Sequence, residues 1–484
     1  MSTVVVVDNP KRWPLKVSGI EVVSADDYLT QPRFGGAANL KVYNLCRSYG
    51  YQTAGYYVSL LAEARGHKPL PSVTTLQDLR LASIHRLAEQ ELDELIARGL
   101  KGVKDEKFEL WVYFGASAFE KYQKLAAAMF GVFPAPVLKV TFARDEDDWA
   151  IDSMRAMGAG DIPDEDVAWV AEQAERYFAR PVRARRSRTP TRYDMAILHR
   201  PDDAMPCSNA KALKKFVDAA DGLGIRAEMV TKEDAGRIAE FDALFIRDTT
   251  AVDHYTYRMA RRAAAEGMVV IDDPVSILRC TNKVYQHELM TRHRLPTPKT
   301  VIFGEDTAGL VGEQIGFPAV IKQPDSSFSA GVIKIDSPAD FAERIPAMLE
   351  DSELLLAQEF CPTEFDWRVG VLGGQPLFVV KYYMARKHWQ IVKRDEKGVH
   401  AGNFEALPVE AAPSAVVRLA VRAAKLIGDG LYGVDLKVID AKPRIIEIND
   451  NPNIDAGIED KVLGDALYER VMWHFLRALE SGRR

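Results

Sequence analysis

Short β-branched or aromatic runs alternate with helix-period segments along the whole chain, which predicts α/β layers and neither a sandwich nor a helical bundle. In the first 150 residues Val4 to Val7, Phe108 to Phe114 and Val137 to Phe142 read as strands, and Ser83 to Leu100 and Ala118 to Phe130 as helices. Gly35 and Gly36 stand before a further helical pattern beginning near Asn39, where a glycine pair reads as a turn, with a phosphate loop as the alternative. Ala179 to Arg192 has no hydrophobic period and carries Arg180, Arg183, Arg185, Arg186, Arg188 and Arg192 with Pro181 and Pro190. Such a stretch reads as a solvated linker and domain boundary, the alternative being a site for an acidic partner.

After the linker the pattern restarts. Tyr193 to His199 is a strand, and Ser208 caps a helix whose Leu213, Phe216, Val217, Ala220 and Leu223 share a face. Arg226 to Val230, Phe241 to Arg247, a helix over His254 to Glu266, and Met268 to Ile271 continue the series. Together they predict a small open parallel sheet.

At 484 residues the chain exceeds one ordinary core, so two to four domains are expected. A hydrophobic fraction of 47% and a charged fraction of 27% mark a globular protein, not a disordered one. The formal charge of −6 offers no electrostatic footprint for nucleic acid or an anionic membrane. Cys46, Cys207, Cys280 and Cys361 form no paired ligand spacing, so neither disulfides nor structural zinc are expected. The N-terminal Val-rich run lacks a basic flank and a long apolar core, and no apolar stretch reaches the roughly 18 residues that span a bilayer. A cytoplasmic location is therefore expected, with no membrane and no nucleic-acid partner.

Candidate chemistry begins after Cys280. Asn282-Lys283 opens a helix that closes at the turn Arg294 to Pro298, and the strand Ala319 to Lys322 delivers a second lysine at its end. Burying an ammonium there requires a compensating anion. Asp325 to Gly331 follows at once, and its small residues, including Ser327 and Ser329, could fold over phosphates or form a plain hairpin turn. Leu354 to Phe360 is an apolar strand ending in Gln358-Glu359-Phe360; backbone groups of such a segment can hold a flat base, with Asp366 of Asp366-Trp367-Arg368 placed to accept from ribose hydroxyls, although an Asp there is by itself more often a turn residue. Two further strands carry Asp435 (Gly433 to Lys437) and Glu447 and Asn449 (Arg444 to Asn449), leading into Asp450-Asn451-Pro452-Asn453. Glu447 and Asn449 are two apart and share a face, which Asp435 can join from its neighbouring strand. Two carboxylates and an amide oxygen with room for phosphates suit Mg²⁺; alternation on a half-exposed hairpin is the plainer reading.

Taken in chain order, Lys283, Lys322, the small-residue loop, Gln358-Glu359-Phe360, Asp366-Trp367-Arg368, Asp435 and Glu447-Ile448-Asn449 resemble the ATP-grasp ligases, specifically the RimK-type glutamate ligases and glutathione synthetase-like enzymes. The resemblance covers residues 193 to 475, and the first 180 residues look like the accessory N-terminal domain found on RimK-like modules. It implies an α/β chain with α+β character in the ATP-grasp module: an accessory N-terminal domain at 1–180, a linker at 181–192, a pre-ATP-grasp domain at 193–280 and the ATP-grasp catalytic domain at 281–484. It further implies that Lys283 and Lys322 contact nucleotide phosphates, with Ser327 and Ser329 in the covering loop. Gln358, Glu359 and Phe360 would form the adenine hinge, and Asp366 would meet the ribose. Asp435, Glu447 and Asn449 would hold Mg²⁺, with Mn²⁺ as the alternative. Arg368, Arg247 or Lys393 would meet substrate or developing negative charge.

Where RimK-type enzymes often carry an Arg followed shortly by an Asn, this chain reads Arg386 to Lys393, a departure that bears on substrate choice. The implied reaction is ATP-dependent amide formation through an acyl phosphate, on amino-acid or peptide substrates, with homo-oligomerisation left open. A nucleotide-binding regulatory module and a phosphotransferase on the same scaffold are the rival readings.

Overall fold

The computed structural model describes the chain apart from residues 1–2, 14, 16, 18–19, 36–39, 146–147, 179–190, 204, 326–330, 387, 396–397 and 482–484. Most of the expected Arg-rich linker, Gly36, and the expected phosphate-covering Ser327 and Ser329 thus lie outside the described residues.

The first parallel sheet holds β1 (Thr3–Val7), β2 (Glu21–Ser24), β3 (Lys41–Asn44) and β4 (Lys68–Leu70) in the order β2-β1-β3-β4. The Val run of β1 is apolar at successive positions because both faces are covered. Val4 and Val6 pack with α1 (Ala25–Thr30), α2 (Pro32–Gly35) and α3 (Ala54–Ala64), while Val5 and Val7 enter a larger core. After α4 (Val73–Asp78), that core is built by α5 (Ala82–Leu100), β5 (Lys107–Tyr113), α6 (Gln123–Val132), β6 (Val137–Asp145), β7 (Asp148–Ala156) and α7 (Val167–Phe178), with β5-β6-β7 an antiparallel sheet. Two expectations are corrected here. The helix expected near Asn39 is the strand β3, whose Lys41 to Asn44 pair with Thr3 to Val6, since a short buried apolar run has no period to tell helix from strand. The helix expected from Ala118 begins only at Gln123, after a tighter turn at Glu120–Tyr122.

The second parallel sheet holds β8 (Tyr193–Leu198), β9 (Ile225–Val230), β10 (Ala243–Ile246) and β11 (Val269–Ile271) in the order β9-β8-β10-β11. Helices α8 (Ala210–Gly222), α9 (Tyr255–Ala265) and α10 (Pro274–Thr281) accompany it. Asn209, not Ser208, caps α8 by accepting from Ala212 N, because the Ser208 hydroxyl is drawn away to donate to the Ile454 carbonyl at 2.8 Å. Charged groups join this sheet to the first one. Lys68 lies 3.3 Å from Asp242, Lys41 lies 3.6 Å from Glu240, and the Tyr177 hydroxyl donates to Glu240.

Helix α11 (Lys283–Arg292) leads into an antiparallel sheet of β12 (Thr300–Phe303), β13 (Ala319–Lys322), β14 (Val332–Ile335) and β15 (Leu355–Glu359), ordered β12-β15-β13-β14 and backed by α12 (Pro338–Asp351). A second antiparallel sheet follows: β16 (Phe365–Leu372), β17 (Gln375–Tyr383), β20 (Phe404–Leu407), β21 (Leu431–Ile439) and β22 (Lys442–Asn449), ordered β20-β17-β16-β21-β22, with β18 (Val392–Asp395) and β19 (Gly398–Ala401) as a separate hairpin. One face of this sheet is closed by α13 (Ser414–Ile427), whose Val416, Leu419, Ala420, Ala423, Ala424 and Ile427 recur at helical spacing and are all buried. The last helix, α14 (Asp465–Ser481), packs Leu467, Val471 and Phe475 into one core with β8, α8 and β17, fastening the second parallel sheet to the last antiparallel one. No helix among the described residues is long and apolar enough to cross a membrane.

Candidate functional site

Helix α11 starts where the Asn282 side chain accepts from Tyr285 N, and this sets Lys283 on the first buried turn, its ammonium 3.1 Å from Glu447. Strand β13 carries Lys322 into the same region, where it donates to Gln358 Oε1 at 2.9 Å; Gln358 in turn donates to the Thr300 hydroxyl at 3.0 Å. Burial drives the Lys322 ammonium down to about 8, with Lys283 and Lys437 adding to the effect and Glu447 opposing it.

On the facing sheet, Asp435 of β21 lies opposite Glu447 of β22, and Gly433 opposite Asn449. The three candidate metal ligands therefore share a face, and Asn449 Nδ2 lies 3.2 Å from Asp435 Oδ2. Amide nitrogen and oxygen exchange on rotation, so the Asn449 oxygen can turn to the same point. Burial works against ionisation of Glu447, but Lys283, Lys322 and Arg368 outweigh it and hold the carboxyl below its ordinary value. Asp435 is matched by Arg368, whose Nε and Nη2 donate to its two oxygens at 2.7 Å each. The backbone comes close here: a Cβ on Gly433 would stand 2.7 Å from Pro452 Cβ, so glycine lets the loop after β22 cross β21. Two carboxylates and an amide are hard oxygen donors, a set that suits Mg²⁺ shared with phosphates. Among the described residues no group of three His, Cys, Asp or Glu could by itself hold a metal.

Between the two antiparallel sheets runs a cleft with an apolar wall of Met290, Leu356, Ile445 and Ile446 and the polar groups of Lys322 and Gln358. Lys283, Gln286, His287, Thr297 and Thr300 complete its lining.

The side chains of other expected residues have partners within the protein. Glu359 uses its carboxylate to accept from Lys299 N at 2.8 Å and from Arg444. Phe360 packs edge-on against Trp389 at 6.0 Å and beneath the Lys334 ammonium at 4.7 Å, which brings Trp389 of the divergent segment against the expected hinge. Asp366 is paired with Lys437 at 2.6 Å. The side chain of Lys393 lies outside the described residues.

Arg247 requires a correction. Its expected place facing substrate gives way to a buried clamp: it donates to Ser208 Oγ, the Cys207 and Pro452 carbonyls and Asn451 Oδ1. It is 2% exposed, and its donors are spent on Cys207 and Ser208 and on the loop that follows Asn449.

Several residues of the site were not singled out from the sequence. Gln286, one turn after Lys283, donates to the Cys280 and Ile448 carbonyls and accepts from Ile448 N, fixing α11 to β22. Lys437 and Arg444 carry the signal of strand period and register, lying two positions from Asp435 and opposite Lys437 respectively. Asp272 and Asp450 each bury one carboxylate oxygen without a hydrogen-bond partner among the described residues.

The pattern of the RimK-like ATP-grasp N-terminal domain matches residues 25–173, and that of the RimK-like ATP-grasp domain matches residues 280–466. A probable alpha-L-glutamate ligase of Legionella pneumophila (strain Corby) is 29% identical over 226 residues, covering 46% of this chain and 72% of the relative. A probable alpha-L-glutamate ligase of Marinomonas sp. (strain MWYL1) is 26% identical over 265 residues, covering 51% and 85%. Among solved structures, a RimK domain ATP-grasp protein from Sphaerobacter thermophilus aligns with a TM-score of 0.44 at 17% identity, over 58% of this chain and 99% of that one.

Proposed function

We propose that this chain, which belongs to the RimK-like ATP-grasp proteins, is an ATP-dependent carbon–nitrogen ligase that adds an amino acid such as glutamate to the amine of a peptide, protein or small molecule. The observation that carries the reading is the convergence of Lys283, Lys322 and Arg368 with Asp435, Glu447 and Asn449 beside the cleft between the two antiparallel sheets.

ATP is a co-substrate here. A carboxylate is a poor electrophile; taking the γ-phosphoryl group makes it an acyl phosphate, whose carbon an amine can attack. The C–N bond forms, the C–O bond to phosphate breaks, and the amine gives up a proton. Asp435, Glu447 and Asn449 would hold Mg²⁺, which would neutralise phosphate charge when bound. Mn²⁺, which takes similar oxygen ligands, is the metal to compare.

The chain's own residues position the reactants. Lys283 and Lys322 meet phosphate oxygens as point charges, and Lys322 is predisposed to do so because burial makes an added anion favourable. Met290, Leu356, Ile445 and Ile446 exclude water from the base. Asp435 locks one edge of the Arg368 guanidinium; the Nη1 corner makes no hydrogen bond among the described residues and can donate to the oxyanion at the attacked carbon. Ser327, Ser329 and Lys393 are retained as candidate contacts, and Asp366 with the hinge Gln358 to Phe360 as the ribose and adenine side.

The test is a screen of amino-acid pairs for ADP release in the presence of Mg²⁺, followed by mass spectrometry of the product. Release that requires both an acid and an amine, with a product lighter by one water than their sum, is expected. ADP release with a stable phosphorylated product and no amine requirement would replace the ligase by a phosphotransferase.

A further inference from the structure

We propose that Tyr382 and Glu459 are positioning residues for Arg368; this rests on the reading of Arg368 as the donor to developing negative charge. Tyr382 of β17 is the diagonal cross-strand neighbour of Arg368, since Asp366 lies opposite Tyr382 and Arg368 opposite Val380. The guanidinium carbon stands 5.3 Å from the centre of the Tyr382 ring. Asp435 thus fixes the guanidinium edge in one plane, and the ring fixes its face. Without the ring, rotation about the Asp435 pair would sweep the free Nη1 corner away from any one point.

The ring is itself held. The Tyr382 hydroxyl donates to Glu459, a carboxylate 2% exposed, whose other oxygen accepts from Asp455 N at 2.7 Å. Asp455 accepts from Asn209 N, at the start of α8, at 2.7 Å. A buried carboxylate is costly unless it is hydrogen-bonded, and here its bonds run from the face of Arg368 to the domain that precedes the catalytic one.

The experiment compares Tyr382→Leu, Tyr382→Phe, Glu459→Gln, Arg368→Met and the double variant Tyr382→Leu/Arg368→Met. ADP release is measured with and without amine, and Mg·ADP affinity by calorimetry. Tyr382→Leu should lower kcat roughly 5- to 30-fold, the scale of a desolvated cation–π contact, with KM for ATP and Mg·ADP affinity within about twofold. Tyr382→Phe, which keeps the ring, should recover most of the rate, and Glu459→Gln should lose a few-fold; the latter serves as the test if Tyr382→Leu does not fold. In the Arg368→Met background the Tyr382 change should cost nothing further. Additive losses, or a Tyr382→Leu enzyme with wild-type kcat, overturn the proposal. Absence of amine dependence in the wild type counts against the ligase reading instead, because the variant comparison can still be made on ADP release alone.

Discussion

Replacing Arg247 by Ala separates a clamp from a substrate contact. The guanidinium makes five hydrogen bonds of 2.5–3.1 Å, to Ser208 Oγ twice, Asn451 Oδ1 and the carbonyls of Cys207 and Pro452. Truncation leaves two buried carbonyls and an amide oxygen without their charged donor, at about 1–3 kcal/mol each. Relief of the buried charge offsets part of this, as burial already pulls the guanidinium below its ordinary value. The net expectation is a loss of about 2–4 kcal/mol in urea unfolding. Because Asn451 and Pro452 follow Asn449 closely, kcat should fall by about tenfold or more from displacement of that ligand, whichever substrate is varied. Arg247→Lys, which cannot reproduce the fork, should recover little. An Arg247→Ala protein with wild-type unfolding and a rise in KM confined to the carboxylate substrate would refute the clamp and return Arg247 to the substrate pocket.

Four further outcomes follow from the same geometry. Since burial brings Lys322 to about 8, Mg·ATP affinity should decline as pH rises through 8, and Lys322→Arg should abolish that decline in a titration series. The stability sign is opposite: between about 8 and 10.5 the unfolded chain holds the extra proton, so wild-type stability gains with pH there while Lys322→Arg does not. Asp435→Asn and Glu447→Gln should each raise the Mg²⁺ concentration needed for half-maximal ADP release by about tenfold or more, and an unchanged requirement in both would remove the metal assignment. Asp450, which burial pushes up to about 7, loses stability as pH rises through that value; Asp450→Asn should therefore gain about 1–3 kcal/mol at pH 8 in a denaturation assay, and a loss would show the charge to be needed.

Local periodicity located β1, β5 and β6, the second parallel sheet, and the strands that carry Asp435, Glu447 and Asn449. The apolar face of α8, the alternation that puts Glu447 and Asn449 on one face, and the restart at Tyr193 are properties of a few consecutive residues, so they are legible without a fold. The run into β3 was misread because a short buried strand carries no period, and the cap of α8 because Ser208 and Asn209 are both good capping residues. What Ser208 does instead depends on Ile454, far along the chain. The same holds for the site. Spacing could align Asp435 with Glu447, but only strand order could set Arg368 against Asp435, Lys283 against Glu447, and Tyr382 beneath Arg368. Arg247 shows the limit most clearly. At the end of a strand it looks like a cation waiting for substrate, yet a loop more than 200 residues later supplies acceptors for it. Charge is written in the sequence, but whether a charge is free to act depends on which distant polar groups the fold buries with it, and that is decided only when the chain closes on itself.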